Sequence, residues 1–377
     1  MRITAPTLVL DKKKCLLNIE RMVAKAKRNQ VVLRPHFKTH QSAQVGEWFK
    51  AFGVTSITVS SLQMARYFAS HGWKDIMVAF PANVLEIDLI NELAAKITLH
   101  LVVVNPETVE LLANRLHYPV KLWLKIDAGY RRTGLSPHDH PELDQIIGSI
   151  DSGKYMTFGG FVVHDGHTYK QSTVGAIRTI HKTSVFLLQS LRGRYIKQYP
   201  DLKLSIGDTP SCSVLENMEG VDEIRPGNFV FYDLTQQRIG SCSYEQIAVC
   251  MACPIVAKHP DRNEFIIYGG SVHFSKDSLL TENGTFIFGR VVDKNRNGWS
   301  APIEGAEVVA LSQEHGTVRV SSEMFERYDI GDLMYVLPVH SCLTADAMRA
   351  YLTLEGEWLE HLSGLSVADR AKQLIIV

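Results

Sequence analysis

The chain has 377 residues, which at roughly 150 residues per domain implies two or three domains. Apolar types make up 45% and charged types 21%, and forty basic residues balance forty acidic ones. That excludes a fibre, a disordered chain and a field that would draw nucleic acid or an anionic membrane. No apolar run approaches the roughly 18–20 residues of a membrane span, and the opening MRITAPTLVLDKKK lacks the basic–apolar–small order of a secretory signal. The expectation is a cytoplasmic globular protein whose six cysteines are reduced thiols.

Residues 4–10 (TAPTLVL) read as a short strand, and Asp11 as the cap of a helix with Leu16, Ile19, Met22, Val23 and Ala26 at helical spacing. Strand-like runs follow at 31–36, 55–59, 75–80, 97–104, 121–127, 158–164, 202–207 and 221–224, with amphipathic segments such as 84–96, 106–116 and 172–191 between several of them. Short apolar runs, rather than strict alternation, mark strands covered on both faces. About eight of them over ~230 residues predict an α/β fold, a (β/α)8 TIM-type barrel. A doubly wound open sheet is the alternative, but no GxGxxG follows the first strand. Beyond about residue 240, strand-like stretches such as TFIFGRVV (285–292) and LMYVLPVH (333–340) succeed one another with turn pairs between. The expected division is a barrel over 1–240 and a mostly antiparallel β domain over 241–377, with residues 1–10 a candidate partner of the second sheet.

Barrel enzymes work at the C-terminal ends of their strands. Polar clusters fall there: RPHFKTH (34–40), DAGYRRTG (127–134), HDGHTY (164–169), GDTPS (207–211) and RPGN (225–228). Lys38, between His36 and His40, is placed to act as a desolvated amine. Gly207, Thr209 and Ser211, with Gly227 and Asn228 in the next loop, offer amides and hydroxyls for a phosphate. In the second domain, His340 and Cys342 are one residue apart at the end of a strand-like run, where period-two geometry directs both to one face. A histidine and a thiolate suit zinc, and with two protein ligands the site would be open, hence catalytic. Cys250 and Cys253 form a CxxC without a second pair, so two small apolar residues on a buried strand are the better reading than half a zinc ribbon or a redox pair.

Together with EIRPGNFVFYD (223–233), SQEHG (312–316) and PVHSC (338–342), these motifs resemble, in order and over nearly the whole chain, the D-serine dehydratase and D-threonine aldolase group of fold-type III pyridoxal-phosphate (PLP) enzymes. That group shares an alanine racemase-like barrel followed by a β domain. The resemblance implies that Lys38 forms the Schiff base with PLP, that Arg132 bonds the cofactor's phenolic oxygen and that His164 lies beside its ring. It implies a phosphate seat at Gly207, Thr209, Ser211, Gly227 and Asn228. Zinc or another divalent metal falls to His340 and Cys342, the aldolases having Asp at the second position. Arg225 matches the racemase arginine at the pyridine nitrogen and Tyr169 a dehydratase tyrosine in the same cavity; the two stay open. His315 either helps order the metal site or is a satisfied turn histidine, and Lys276-Asp277 is either a loop near an interface or a solvated turn.

The implied reaction is zinc-assisted elimination of water from a D-3-hydroxy amino acid, with Lys38 as base, giving a keto acid and ammonia. Retro-aldol cleavage, a D-3-hydroxyaspartate dehydratase and a non-catalytic PLP-binding protein are the alternatives. The resemblance also implies a homodimer in which the barrel of one subunit meets the β domain of the other.

Overall fold

The computed structural model describes residues 3–295 and 297–362. Asp11 ends β1 (Thr7–Leu10) and caps α1 (Lys12–Arg28), its carboxylate accepting from Lys14 N at 3.1 Å. Strands and helices then alternate: β2 (Val32–Leu33), α2 (Ala43–Ala51), β3 (Ser56–Val59), α3 (Leu62–Ser70), β4 (Asp75–Pro81), α4 (Ile87–Ala94), β5 (Thr98–Val103), α5 (Pro106–Arg115) and β6 (Val120–Lys125). The series continues through α6 (His140–Asp151), β7 (Met156–Val163), α7 (Val174–Tyr195), β8 (Lys203–Ile206), α8 (Thr209–Val214) and β9 (Glu223–Ile224). The strands pair in parallel in the order β2-β9-β8-β7-β6-β5-β4-β3. The ends meet: Phe37 N donates to Thr58 O at 2.8 Å and Thr58 N to Pro35 O at 2.9 Å. Closure removes the open edges that a doubly wound sheet would keep.

Two expected boundaries shift for local reasons. The run 31–36 is regular only at Val32–Leu33, because Pro35 has no amide to add to a ladder. The stretch 84–96 opens with a single 3-10 turn (Val84–Glu86) before α4.

Side-chain alternation divides the barrel wall. Met77, Val102, Trp123 and Val162, one from each of β4 to β7, form a small cluster of their own, while Ile76, Val78, Leu99, Leu101 and Val103 belong to the large cluster under the helices. Two residues along from Trp123, in phase with it, is Lys125; in phase with Glu223 is Arg225. Polar groups run in a chain across this interior: Trp123 Nε1 donates to His100 Nδ1 (2.9 Å), His100 Nε2 lies 3.1 Å from Asp75 Oδ1, and Arg34 donates to Asp75 and, through Nε, to Glu223 Oε2 (2.5 Å). Ser205 Oγ then donates to Glu223 Oε1 at 2.5 Å and accepts from Arg225.

After α9 (Leu234–Ile239) the pattern changes to β10 (Val249–His259), β11 (Glu264–Tyr268), α10 (Ser271–Phe274), β12 (Leu279–Leu280), β13 (Phe286–Ile287), β14 (Gly289–Asn295), β15 (Gly298–Leu311) and β16 (His315–Arg319). Then come α11 (Ser322–Phe325), β17 (Leu333–Pro338), α12 (Ser341–Met348), β18 (Ala350–Thr353) and β19 (Trp358–Glu360). The second sheet, mostly antiparallel, runs β11-β16-β15-β14-β17-β10-β1-β18-β19, so β1 is built into it between β10 and β18. TFIFGRVV is not one strand: β13 pairs with β12 and only β14 joins the large sheet. Cys250 and Cys253 are fully buried on β10, opposite Val9 and Met334. Among the described residues no helix is long and apolar enough to cross a membrane.

The second sheet's helices and strands clamp the first barrel loop. Tyr351 Oη donates to His40 O (2.5 Å), Gln41 Nε2 to Asp346 Oδ1 (3.1 Å) and Leu362 N to Gln41 O (2.6 Å). Beneath, the His40 ring is packed among Phe37, Phe49 and Phe68.

Candidate active site

Every cluster singled out in the barrel lies at a C-terminal strand end. Lys38 follows β2, Arg132 lies in the loop after β6, His164 follows β7, Thr209 and Ser211 open α8 after β8, and Arg225 to Asn228 follow β9. The loop after β6 is shaped by Asp127, whose Oδ1 accepts from Gly129 N (2.9 Å) and Arg131 N (3.0 Å), while Arg132 stacks 5.0 Å from the Tyr130 ring. Asp208 caps α8 by accepting from Ser211 N at 2.9 Å. His164 Nδ1 lies 2.6 Å from Gly207 O; a carbonyl can only accept, so Nδ1 carries the hydrogen. Burial first, then the charges of Lys38, Arg132 and Lys125, bring the His164 pKa down to about 3. Burial and Lys38 likewise hold His36 well below its ordinary value.

Lys125 is the group that sequence reading missed. It is buried at the end of β6, and burial, with Arg132, Arg225 and Lys38 nearby, lowers its pKa to about 8. A lysine closing the apolar run KLWLK was the available signal. The mouth therefore gathers Lys38, Lys125, Arg132 and Arg225 around two neutral imidazoles, a setting for an anionic ligand. Behind it, burial raises the pKa of both Asp165 and Asp208, the latter to about 6, and Thr168 Oγ1 lies 2.8 Å from Asp208 Oδ2. Carboxylates buried close together do not both ionise readily, which spares the seat their full repulsion.

The HxC pair converges, but not by strand geometry. β17 ends at Pro338; His340 is the N-cap of α12 with φ −135° and ψ 99°, and Cys342 lies in its first turn. The helix starts there because Asp233 Oδ2 accepts from Ser341 N at 3.0 Å and from Asn228 Nδ2 at 2.7 Å. Asp233 is 108 residues away from Ser341 in sequence, so the pattern PVHSC carried no sign of it. Cys342 Sγ lies 3.3 Å from Thr39 Oγ1 and 3.4 Å from Asn228 Nδ2, between the Lys38 loop and the loop after β9. Burial opposes charge on both partners, yet their mutual attraction lowers the Cys342 pKa and, with Asp277, raises that of His340. Asp277 is not merely a solvated turn residue: its Oδ2 is 3.3 Å from His340 Nδ1. His315 is exposed and opens β16 opposite Tyr268. Cavities of about 490 Å³ beside α1 and 650 Å³ beside α7 are lined by none of these residues.

Comparison with known proteins shows the family. Residues 10–234 match the family described as "Alanine racemase, N-terminal domain", and residues 248–354 that described as "Putative serine dehydratase domain". The chain is 30% identical over 376 residues to D-serine dehydratase of Dictyostelium discoideum, covering 90% of each chain. It belongs to the D-serine dehydratase group of alanine racemase-like PLP enzymes. The structure of D-threo-3-hydroxyaspartate dehydratase from Delftia sp. HT23 superposes on this family member with a TM-score of 0.88 at 26% identity, covering 96% of this chain and 98% of that one. A cysteine-to-alanine mutant of D-threo-3-hydroxyaspartate dehydratase in its metal-free form gives a TM-score of 0.89 at 25% identity, with the same coverage.

A PLP lyase of this group needs a seat for the cofactor's phosphate, and the residues present fit it. Ser211 Oγ and Asn228 Oδ1 are buried without a hydrogen-bond partner, a costly condition unless a ligand satisfies them. A Cβ on Gly227 would stand 2.9 Å from His36 O, so only glycine lets this loop close on the Lys38 loop. For a metal, the donor set is a histidine and a thiol of lowered pKa. Among the described residues no group of three or more His, Cys, Asp or Glu side chains is arranged to hold an ion. Two protein donors fit an open site rather than a structural one.

Proposed function

We propose that the protein eliminates water from a D-3-hydroxy amino acid, releasing a keto acid and ammonia. The observation that carries this reading is the closeness of Cys342 to both Thr39 and Asn228 (3.3 and 3.4 Å), which brings the HxC pair against the Lys38 loop and the phosphate seat. A base for the α proton and a donor pair for a Lewis acid then share one cavity, as loss of an α proton and a β-hydroxyl requires.

Bound PLP would withdraw electrons from the substrate's α-carbon, and zinc or another divalent ion on His340 and Cys342 would polarise the β-hydroxyl. Lys38 Nζ takes the α proton. Arg132 and Lys125 supply positive charge against the cofactor's phenolic oxygen and the substrate carboxylate. Gly207, Thr209, Ser211, Gly227 and Asn228 would hold the phosphate, and neutral His164 would face the ring. The ring nitrogen falls to Tyr169 rather than Arg225. The Tyr169 hydroxyl accepts from Thr209 N at 3.2 Å and keeps its own hydrogen to donate, whereas Arg225 is engaged with Ser205 and with Val163 O at 2.6 Å. Burial holds that phenol neutral. The reading includes a homodimer, in which exposed Phe80 and Leu85 beside the mouth and Leu280 and Phe286 on the β12–β13 hairpin would be covered.

The test is borohydride reduction of purified protein, followed by peptide mapping and turnover of D-serine and of D-threo-3-hydroxyaspartate. The expected adduct is on Lys38 and absent in Lys38→Ala; keto acid and ammonia form, chelation stops them and zinc restores them. An adduct on another lysine overturns the site, aldehyde release replaces elimination with retro-aldol cleavage, and activity surviving complete metal removal ends the zinc role.

A further inference from the structure

We infer that Asp277 is a positioning residue for the metal pair, holding the His340 ring so that Nε2 rather than Nδ1 is presented to the ion. The inference rests on the metal site proposed above. His340 Nδ1 lies 3.3 Å from Asp277 Oδ2. A carboxylate accepts, so Nδ1 carries the hydrogen and a neutral imidazole then has its lone pair on Nε2. Metal-bound histidines are held this way by a carboxylate on the other ring nitrogen, which fixes the tautomer and raises basicity.

Asp277 is itself held in place. Ser275 Oγ donates to Asp277 Oδ2 at 2.8 Å and accepts from Asp277 N at 3.3 Å. Ser275 does this from φ 74° and ψ −177°, a backbone region reserved almost wholly for glycine and tolerated where the surroundings over-determine it. The surroundings here are α12 and α10: Thr344 Oγ1, one turn after His340, donates to Phe274 O at 3.0 Å, and Ser275 N donates to Ser271 O of α10 at 3.0 Å. The loop that carries the carboxylate is thus fastened to the helix that carries the donors. A turn that only faced solvent would need neither the strained serine nor the tether. Nor is Asp277 placed as a third ligand, since among the described residues no three His, Cys, Asp or Glu side chains are arranged to hold an ion.

The experiment is zinc titration of the metal-stripped, PLP-loaded full chain against a chromophoric chelator, for wild type, Asp277→Ala, Asp277→Asn and His340→Ala. The melting temperature and the PLP absorbance of each apoprotein serve as controls for folding. Asp277→Ala is expected to weaken zinc binding by about 10–100-fold with both controls unchanged. Asp277→Asn, still able to accept from Nδ1–H, is expected to fall between. Long-range ¹⁵N–¹H correlation of the His340 imidazole in zinc-loaded wild type reads the tautomer without any variant, and Nδ1–H is expected. Zinc affinity within twofold of wild type in Asp277→Ala, or a hydrogen on Nε2, overturns the inference and leaves the metal site standing. Wild type that binds no zinc, or His340→Ala that binds as wild type does, overturns the metal site and this inference together.

Discussion

Replacing Glu223 by alanine is expected to destabilise the barrel severely, and the structure supplies the magnitude. Glu223 and Arg34 are each about 5% exposed, and the carboxylate accepts from Arg34 Nε and from Ser205 Oγ at 2.5 Å each. Removing it leaves Arg34 to Asp75 alone, whose side chain is 37% exposed, and deprives Ser205 of the acceptor that orders it beneath Arg225. Breaking a buried pair by deleting one partner costs about 3–5 kcal/mol, because the surviving charge stays desolvated. Since Asp75 still compensates part of the charge, the lower end, about 3 kcal/mol, is expected. For a barrel of this size that corresponds to a fall of roughly 6–12 °C in melting temperature, at about 2–4 °C per kcal/mol. Scanning calorimetry at pH 7 reads it directly. Glu223→Gln, which still accepts from Ser205 but carries no charge, should lose less. A melting temperature within about 2 °C of wild type for Glu223→Ala would mean that the Arg34–Glu223–Ser205 chain does not hold the barrel interior, and the reasoning would fail.

Three further outcomes are expected. His40 is fully buried among phenylalanines, and burial, with His361, brings its pKa down to about 3. Below the unfolded value near 6.5 the unfolded chain therefore takes up a proton that the native state refuses, so stability falls as pH drops from 6.5 toward 3, by up to about 1.4 kcal/mol per unit, and no dependence on His40 remains above pH 7. Urea melts of wild type and His40→Phe across that range check it, and parallel pH profiles would refute it. Gly227→Ala should fold but lose cofactor, since its Cβ would press on His36 O at 2.9 Å and Thr39 Oγ1 at 3.2 Å; the measurement is PLP retained after gel filtration, with wild-type retention the contrary result. Asp208→Ala removes the α8 cap and should cost about 1 kcal/mol in stability but a larger share of PLP affinity; the two are separated by melting the apoprotein and titrating PLP.

Much of the barrel was legible because its signals are local. Apolar runs of strand length separated by amphipathic segments reflect burial on both faces, and a cap such as Asp11 or Asp208 acts within three residues of itself. The strand-end rule then located Lys38, His164, Thr209, Ser211 and Asn228 at the mouth without any knowledge of their contacts. Boundaries were less legible where one atom decides them, as at Pro35, whose missing amide ends β2 early.

The remainder depended on residues far apart in the chain. At His340 and Cys342, strand alternation and a helix N-terminus both bring i and i+2 together, and only Asp233, docked from the end of the barrel, selects the helix. Asp277 on His340 and Tyr351 on the His40 carbonyl carry no mark in their own segments. Composition and periodicity by themselves determined that this polypeptide builds a βα barrel with a β domain and where its polar loops fall, because those follow from contacts a few residues long. Which side chains face one another across the mouth was decided by the closing of the barrel and the docking of the second sheet, because a hydrogen bond spanning a hundred residues or more exists only once the packing that aligns it is complete.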